Sequence, residues 1–143
     1  MKFTRLHPWR LDYEKAIQVQ ETLRDRLILK KPTGKICTVA GADVSYDKQS
    51  DRFFAGVVVF KLGRHLERVE ERTAVGKARF PYIPGLLSFR EAPILLKVFT
   101  KLKITPDIIL FDGQGIAHPR HFGLASHLGL ILERPSIGCA KTR

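Results

Sequence analysis

Three carboxylates of this chain stand where solvation alone does not explain them. Asp43 interrupts a run of small and apolar residues, VAGADVSY. Period two places it on the strand face of Val39, Gly41 and Ser45, with Ala42 and Val44 on the other. Asp112 directly follows residues 108–111, apolar on both faces, as in a strand inside a parallel sheet. In open α/β sheets ligands gather at the carboxyl ends of strands, and Asp112 stands at such an end. Gly113 and Gly115 come next, and glycine lets backbone approach a ligand closely. If the two strands pair in parallel, Asp43 and Asp112 come side by side. Close carboxylates repel and raise each other's pKa unless a divalent cation neutralises them, and their oxygens suit Mg²⁺ or Mn²⁺. A helix-start or loop-capping aspartate is the competing reading of Asp112.

Glu91 is the third acid. Ser88-x-x-Glu91 fits a capping box. Pro93 would then fall at the fifth helical position, where its missing N–H removes a bond. A helix beginning nearer Glu91 accommodates the proline and leaves the carboxylate free. Both readings stand on the local pattern.

The elements that must position these acids follow from periodicity. Asp12 can cap a helix whose apolar face is Tyr13, Ala16, Ile17, Leu23, Leu27 and Ile28, ended by Pro32 and Gly34. Trp9 just before it reads as core. Strands are expected at 39–46, at 53–62 and, after a turn at Gly63, at 65–75, the last charged enough for a sheet edge. The acids from Glu67 to Glu71, interleaved with Arg68, read as a solvated face. A two-proline loop, FPYIPGLLS, leads into the helix REAPILLKVFTKLK. After the 108–111 strand and the glycine loop, Phe122, Ala125, Leu128 and Ile131 mark a helix that Pro135 stops. Residues 137–140 are expected to form a fifth strand. The order β-β-β-α-β-α-β predicts an α/β fold with a mixed five-stranded sheet, a meander followed by parallel crossovers, flanked by helices.

At 143 residues one domain, 1–143, is expected. Apolar residues make up 44%, which excludes a disordered or fibrous chain. No apolar run reaches the roughly 20 residues that span a bilayer, and the N-terminus lacks an apolar signal region, so a cytoplasmic monomer is expected. Cys37 and Cys139 lack metal-type spacing and read as buried free thiols. The net charge of +11 points to a polyanionic partner, most simply nucleic acid.

PYIPG-x-L-x-FRE and FDGQG-x-AHPR, with VAGADVSY before them and PSIGCAKTR after, resemble the endonuclease V family, the deoxyinosine-directed nucleases. The resemblance covers almost the whole chain. It implies a ribonuclease H-like fold and Mg²⁺-dependent nicking of hypoxanthine-containing DNA, or RNA, at the second phosphodiester bond 3′ to the lesion. Matched by motif, Asp43 and Asp112 resemble the metal-binding carboxylates, Glu91 the third acid and Lys141 the lysine ending the fifth strand. Tyr82 resembles the wedge that fills the gap left by an extruded base. Gly113, Gly115 and Leu87 would line the base pocket, with His118 beside it on the substrate side. Family members continue past the equivalent of Arg143 through a strand and helix carrying an active-site histidine. The chain is therefore expected to be truncated or a short member, complete in recognition and incomplete in catalysis. A non-catalytic binder of deaminated or mismatched nucleic acid, or another ribonuclease H-like nuclease, is the alternative.

Overall fold

The computed structural model describes residues 1–141. Among them the order is α1 (Tyr13–Arg24), β1 (Thr38–Asp47), β2 (Arg52–Lys61), β3 (Glu67–Lys77), α2 (Leu87–Lys101), β4 (Ile108–Asp112), α3 (Leu124–Leu132) and β5 (Ser136–Cys139). The strands form one mixed sheet in the order β3-β2-β1-β4-β5. β1, β2 and β3 make an antiparallel meander, and β4 joins β1 and β5 in parallel. That is the expected topology.

Strand alternation decides where the core sits. Ala40 and Ala42 of β1, Val57 and Val59 of β2, and Ile109 and Phe111 of β4 share one row across the sheet. They are buried against α2 and α3, where Phe99, Leu95, Leu128 and Ile131 pack on them. Burying such side chains stabilises by about 1.5–3 kcal/mol each. Asp43 and Asp112 belong to the alternate row and are exposed.

Several expectations fail for local reasons. Asp12 does cap α1, accepting from the Lys15 N–H at 2.9 Å. The helix nevertheless ends at Arg24, because Arg26 and Leu27 bond back three residues to Leu23 and Arg24 and close the last turn. Ile28 is left 79% exposed rather than on the apolar face. Glu70 is buried, not solvated: its carboxylate pairs with Arg72 at 2.8 Å and accepts from the Lys103 and Ile104 N–H groups. Neither cysteine is buried. Cys37 precedes β1, and Cys139 lies on the row of β5 away from α3. Trp9 packs half-buried against the core. α2 starts at Leu87, earlier than the proline suggested, and carries Pro93 inside it. No helix among the described residues is long and apolar enough to cross a membrane.

Candidate active site

The parallel ladder between β1 and β4 ends with Ala42 opposite Phe111. The next residue of each strand is the acid, so Asp43 and Asp112 stand side by side at the carboxyl end of the sheet. Asp43 Oδ1 accepts from the Val44 N–H at 2.7 Å, which fixes its orientation. Glu91 reaches this place from α2. Burial first, then the charges of Asp43 and Asp112, push its carboxyl up to about 7, while neighbouring Arg90 acts the other way. The three acids share one electrostatic field.

Capping does not occupy Glu91. The N-cap position is Leu86, which makes no side-chain cap bond, and Ser88 lies inside the helix. Its hydroxyl is 2.9 Å from His127 Nδ1.

Among the described residues no three His, Cys, Asp or Glu side chains close into a ready-made metal cage. The donor chemistry still fits a hard divalent ion. Mg²⁺ is commonly held by one or two carboxylates and keeps several waters, so an open pair suffices. Mutual repulsion among the three acids is what such an ion would relieve.

A cavity of about 210 Å³ is lined by residues close along the chain to Glu91 and Asp112, Leu87 and Gln114, together with Tyr82, His118 and Gly123. Tyr82 is 69% exposed at its mouth. The structure thus brings Tyr82, Leu87 and His118 together as expected. Gly113 and Gly115 are not part of the lining; they flank Gln114, which is. Gly113 has φ +153, and a Cβ there would press on Leu124 at 3.1–3.3 Å, so a side chain would be strained and crowded. Gly115 carries no such demand, since its nearest neighbour would be Ser126 Oγ at 3.6 Å. Lys141 is exposed, two residues past the end of β5, whose Cys139 pairs with Asp112.

One wall of the cavity is a polar knot. The Gly85 carbonyl accepts from Gln20 Nε2 at 2.9 Å and from Arg120 Nη2 at 2.8 Å, and His118 Nε2 lies 2.9 Å from it. Arg120 Nε also donates to Gln20 Oε1 at 2.7 Å. The Arg120 N–H donates to His118 Nδ1, so the proton of His118 is on Nε2 and points at Gly85. Burial lowers the His118 pKa, in keeping with this neutral form. His118 therefore holds the wall with both ring nitrogens engaged. Gly85 has φ +81, and a Cβ there would meet Arg120 Nη2 at 2.7 Å. Gln20 and Arg120 were not foreseen. A signal existed for Gln20: it occupies a core position of α1 with Ala16 and Leu23, where an amide needs partners.

A sequence profile of Endonuclease V matches residues 21–143. The chain belongs to the endonuclease V family. An endonuclease V of Dehalococcoides mccartyi is 46% identical over 143 residues, all of this chain and 64% of that protein. The crystal structure of endonuclease V from Streptomyces avermitilis superposes with TM-score 0.87 at 44% identity, over 99% of this chain and 63% of that one. Endonuclease V of Ciona intestinalis, in complex with a 24mer DNA containing an inosine followed by a ribo-adenosine, gives 0.81 at 31% identity, over 91% of this chain and 58% of that one. The fold is the ribonuclease H-like fold of these structures. The chain spans 56–65% of the length of curated relatives it matches.

Proposed function

We propose that the chain recognises hypoxanthine in a nucleic-acid strand and directs metal-dependent hydrolysis of that strand, at the second phosphodiester bond 3′ to the lesion. The observation that carries this reading is the meeting of Asp43, Asp112 and Glu91, with Leu87 and Gln114, near Glu91 and Asp112 along the chain, lining the cavity that Tyr82 borders. Asp43 and Asp112 would hold the divalent ion, Mg²⁺ or Mn²⁺. When bound, that ion supplies positive charge to the phosphate and acidity to a water. Glu91, reaching in from α2, would orient the attacking water or a water on that ion. Lys141, exposed past β5, would neutralise developing charge on the phosphate.

Base selection rests on the cavity. Extruding a base costs a few kcal/mol, least for a mismatched one. Hypoxanthine presents a carbonyl acceptor and a ring N–H where adenine presents a donor and an acceptor. Backbone N–H and C=O groups offered by the cavity would reject adenine by leaving polar groups unpaired. Tyr82, exposed at the mouth, would fill the gap in the stack. Guanine, with its extra amino group, must be excluded by the space available.

Two variants test the roles on one inosine-containing duplex, with binding and Mg²⁺-dependent nicking scored separately. Stacking of one ring on a base is worth about 1–3 kcal/mol, so Tyr82→Ala should lower the preference for inosine roughly tenfold. Asp112→Ala should abolish nicking and change metal-free binding far less. Unchanged inosine preference in the first variant, or parental nicking in the second, would overturn the assignment.

A further inference from the structure

The loop carrying Pro81 and Tyr82 is a ridge between two concavities. Tyr82 faces the base cavity, while Pro81 faces a groove of about 910 Å³ on the other side. The floor of that groove is one stripe of α2, Arg90, Pro93, Ile94 and Lys97, at helical spacing. The opposite wall is the N-terminal segment at Arg5 and Arg10, and the end is closed by Lys77 and Arg79. Six cations thus surround one concavity whose lining has no carboxylate. Arg90 is engaged: its guanidinium lies 5.0 Å from the Tyr46 ring centre and 5.1 Å from that of Phe53, and it donates to the Phe80 carbonyl. The other five are exposed, and none is in an ion pair among the described residues. Like charges gathered without a counter-charge repel, which favours a polyanion in their midst.

The groove starts at Arg90, the residue before Glu91. Arg90 thus links the groove to the acid site, one residue from Glu91 along α2. We propose that this groove is a further nucleic-acid subsite, taking the sugar-phosphate backbone of the cut strand as it runs on from the acid site. The inference rests on the nucleic-acid reading above and adds where the flank goes. Its recognition is by charge, so it reads no sequence.

The test uses the full chain and labelled oligonucleotides bearing one inosine, with flanks lengthened on either side, single-stranded and duplex. The variant Lys77→Gln/Arg79→Gln/Lys97→Gln is compared with Lys30→Gln/Lys31→Gln/Lys35→Gln, which removes equal charge from exposed positions outside the groove. Lengthening one flank should tighten parental binding, and the groove variant should lose that gain on single strands and duplexes alike. On long single strands its dependence of log K on log salt should be shallower by about 2, from roughly 0.7 per lost phosphate contact. An equal loss from the control variant, or flank dependence retained in the groove variant, overturns the proposal. A loss seen with duplex alone overturns it too, by assigning the groove to the complementary strand. If the parent shows no inosine preference while the flank effect persists, the functional reading falls and the subsite stands.

Discussion

Burial and two like charges act together on Glu91, and pH resolves them. The carboxyl titrates near 4.5 when free and at about 7 in the fold. Between these values the folded chain holds a proton that the unfolded chain has released. Stability from this group is therefore fully present below about pH 4.5 and falls as pH rises to 7, by on the order of 3 kcal/mol. His7, His118 and His127 act in the opposite sense, since burial lowers each of them and stability is lost as pH falls below 6.5. Glu91→Gln removes the first effect and leaves the second. The stability difference, variant minus parent, from urea unfolding should thus grow in favour of the variant between pH 5 and pH 7. Mg²⁺ at pH 7 should narrow it by favouring the ionised acid in the parent. A difference flat in pH would show that neither burial nor the field of Asp43 and Asp112 acts on Glu91. Asp43 and Asp112 were legible because alternation and strand ends are local patterns. The partners of Gln20, Gly85, Arg120 and Phe122, lie 65, 100 and 102 residues away, and no spacing in the sequence reports them.

The start of α2 shows what a local pattern misses at the level of elements. Pro93 argued for a late start, yet the helix begins at Leu87 because Ser88 and Phe89 are buried by tertiary packing. The hydroxyl of Ser88 belongs to a chain of three elements. His7 Nδ1 lies 2.8 Å from the Pro8 carbonyl, so it carries the proton there and leaves Nε2 to accept. His127 Nε2, 2.7 Å away, is then the donor, and His127 Nδ1 accepts from Ser88. One proton arrangement satisfies every nitrogen, and it requires both rings neutral. The N-terminal segment, α3 and α2 are joined by these bonds. Ser88→Ala leaves a fully buried Nδ1 without a donor and should cost about 1–3 kcal/mol in denaturant unfolding. A loss under roughly 0.5 kcal/mol would mean the chain of bonds contributes little. The strands, by contrast, were readable as expected, since β-branched runs and polar turns mark them at short range. β3 ran two residues further than its charge pattern suggested, to Lys77, because Gly76 and Lys77 still pair with Phe53 and Arg52.

At the scale of the molecule, the proposed function would have a net charge of +11 and a small neutral cavity divide the labour of binding. Phosphate contacts give affinity without selectivity, and each releases a condensed counterion, so log K should fall by about 0.9 per contact against log salt on duplex DNA. The cavity is different in kind: its lining carries no charged side chain, and it has the aromatic ring of Tyr82 at its mouth. Hydrogen bonds and stacking of this sort release no counterions. The ratio of affinities for an inosine-containing duplex and its adenine counterpart should therefore hold nearly constant between about 50 and 200 mM salt, while both affinities drop steeply. Fluorescence anisotropy titrations of the two duplexes at several salt concentrations measure the ratio and the slopes together. A ratio that collapsed in step with affinity would place selectivity in the charged surface and remove the cavity from recognition. Shallow slopes for both duplexes would instead remove the basic surface from binding.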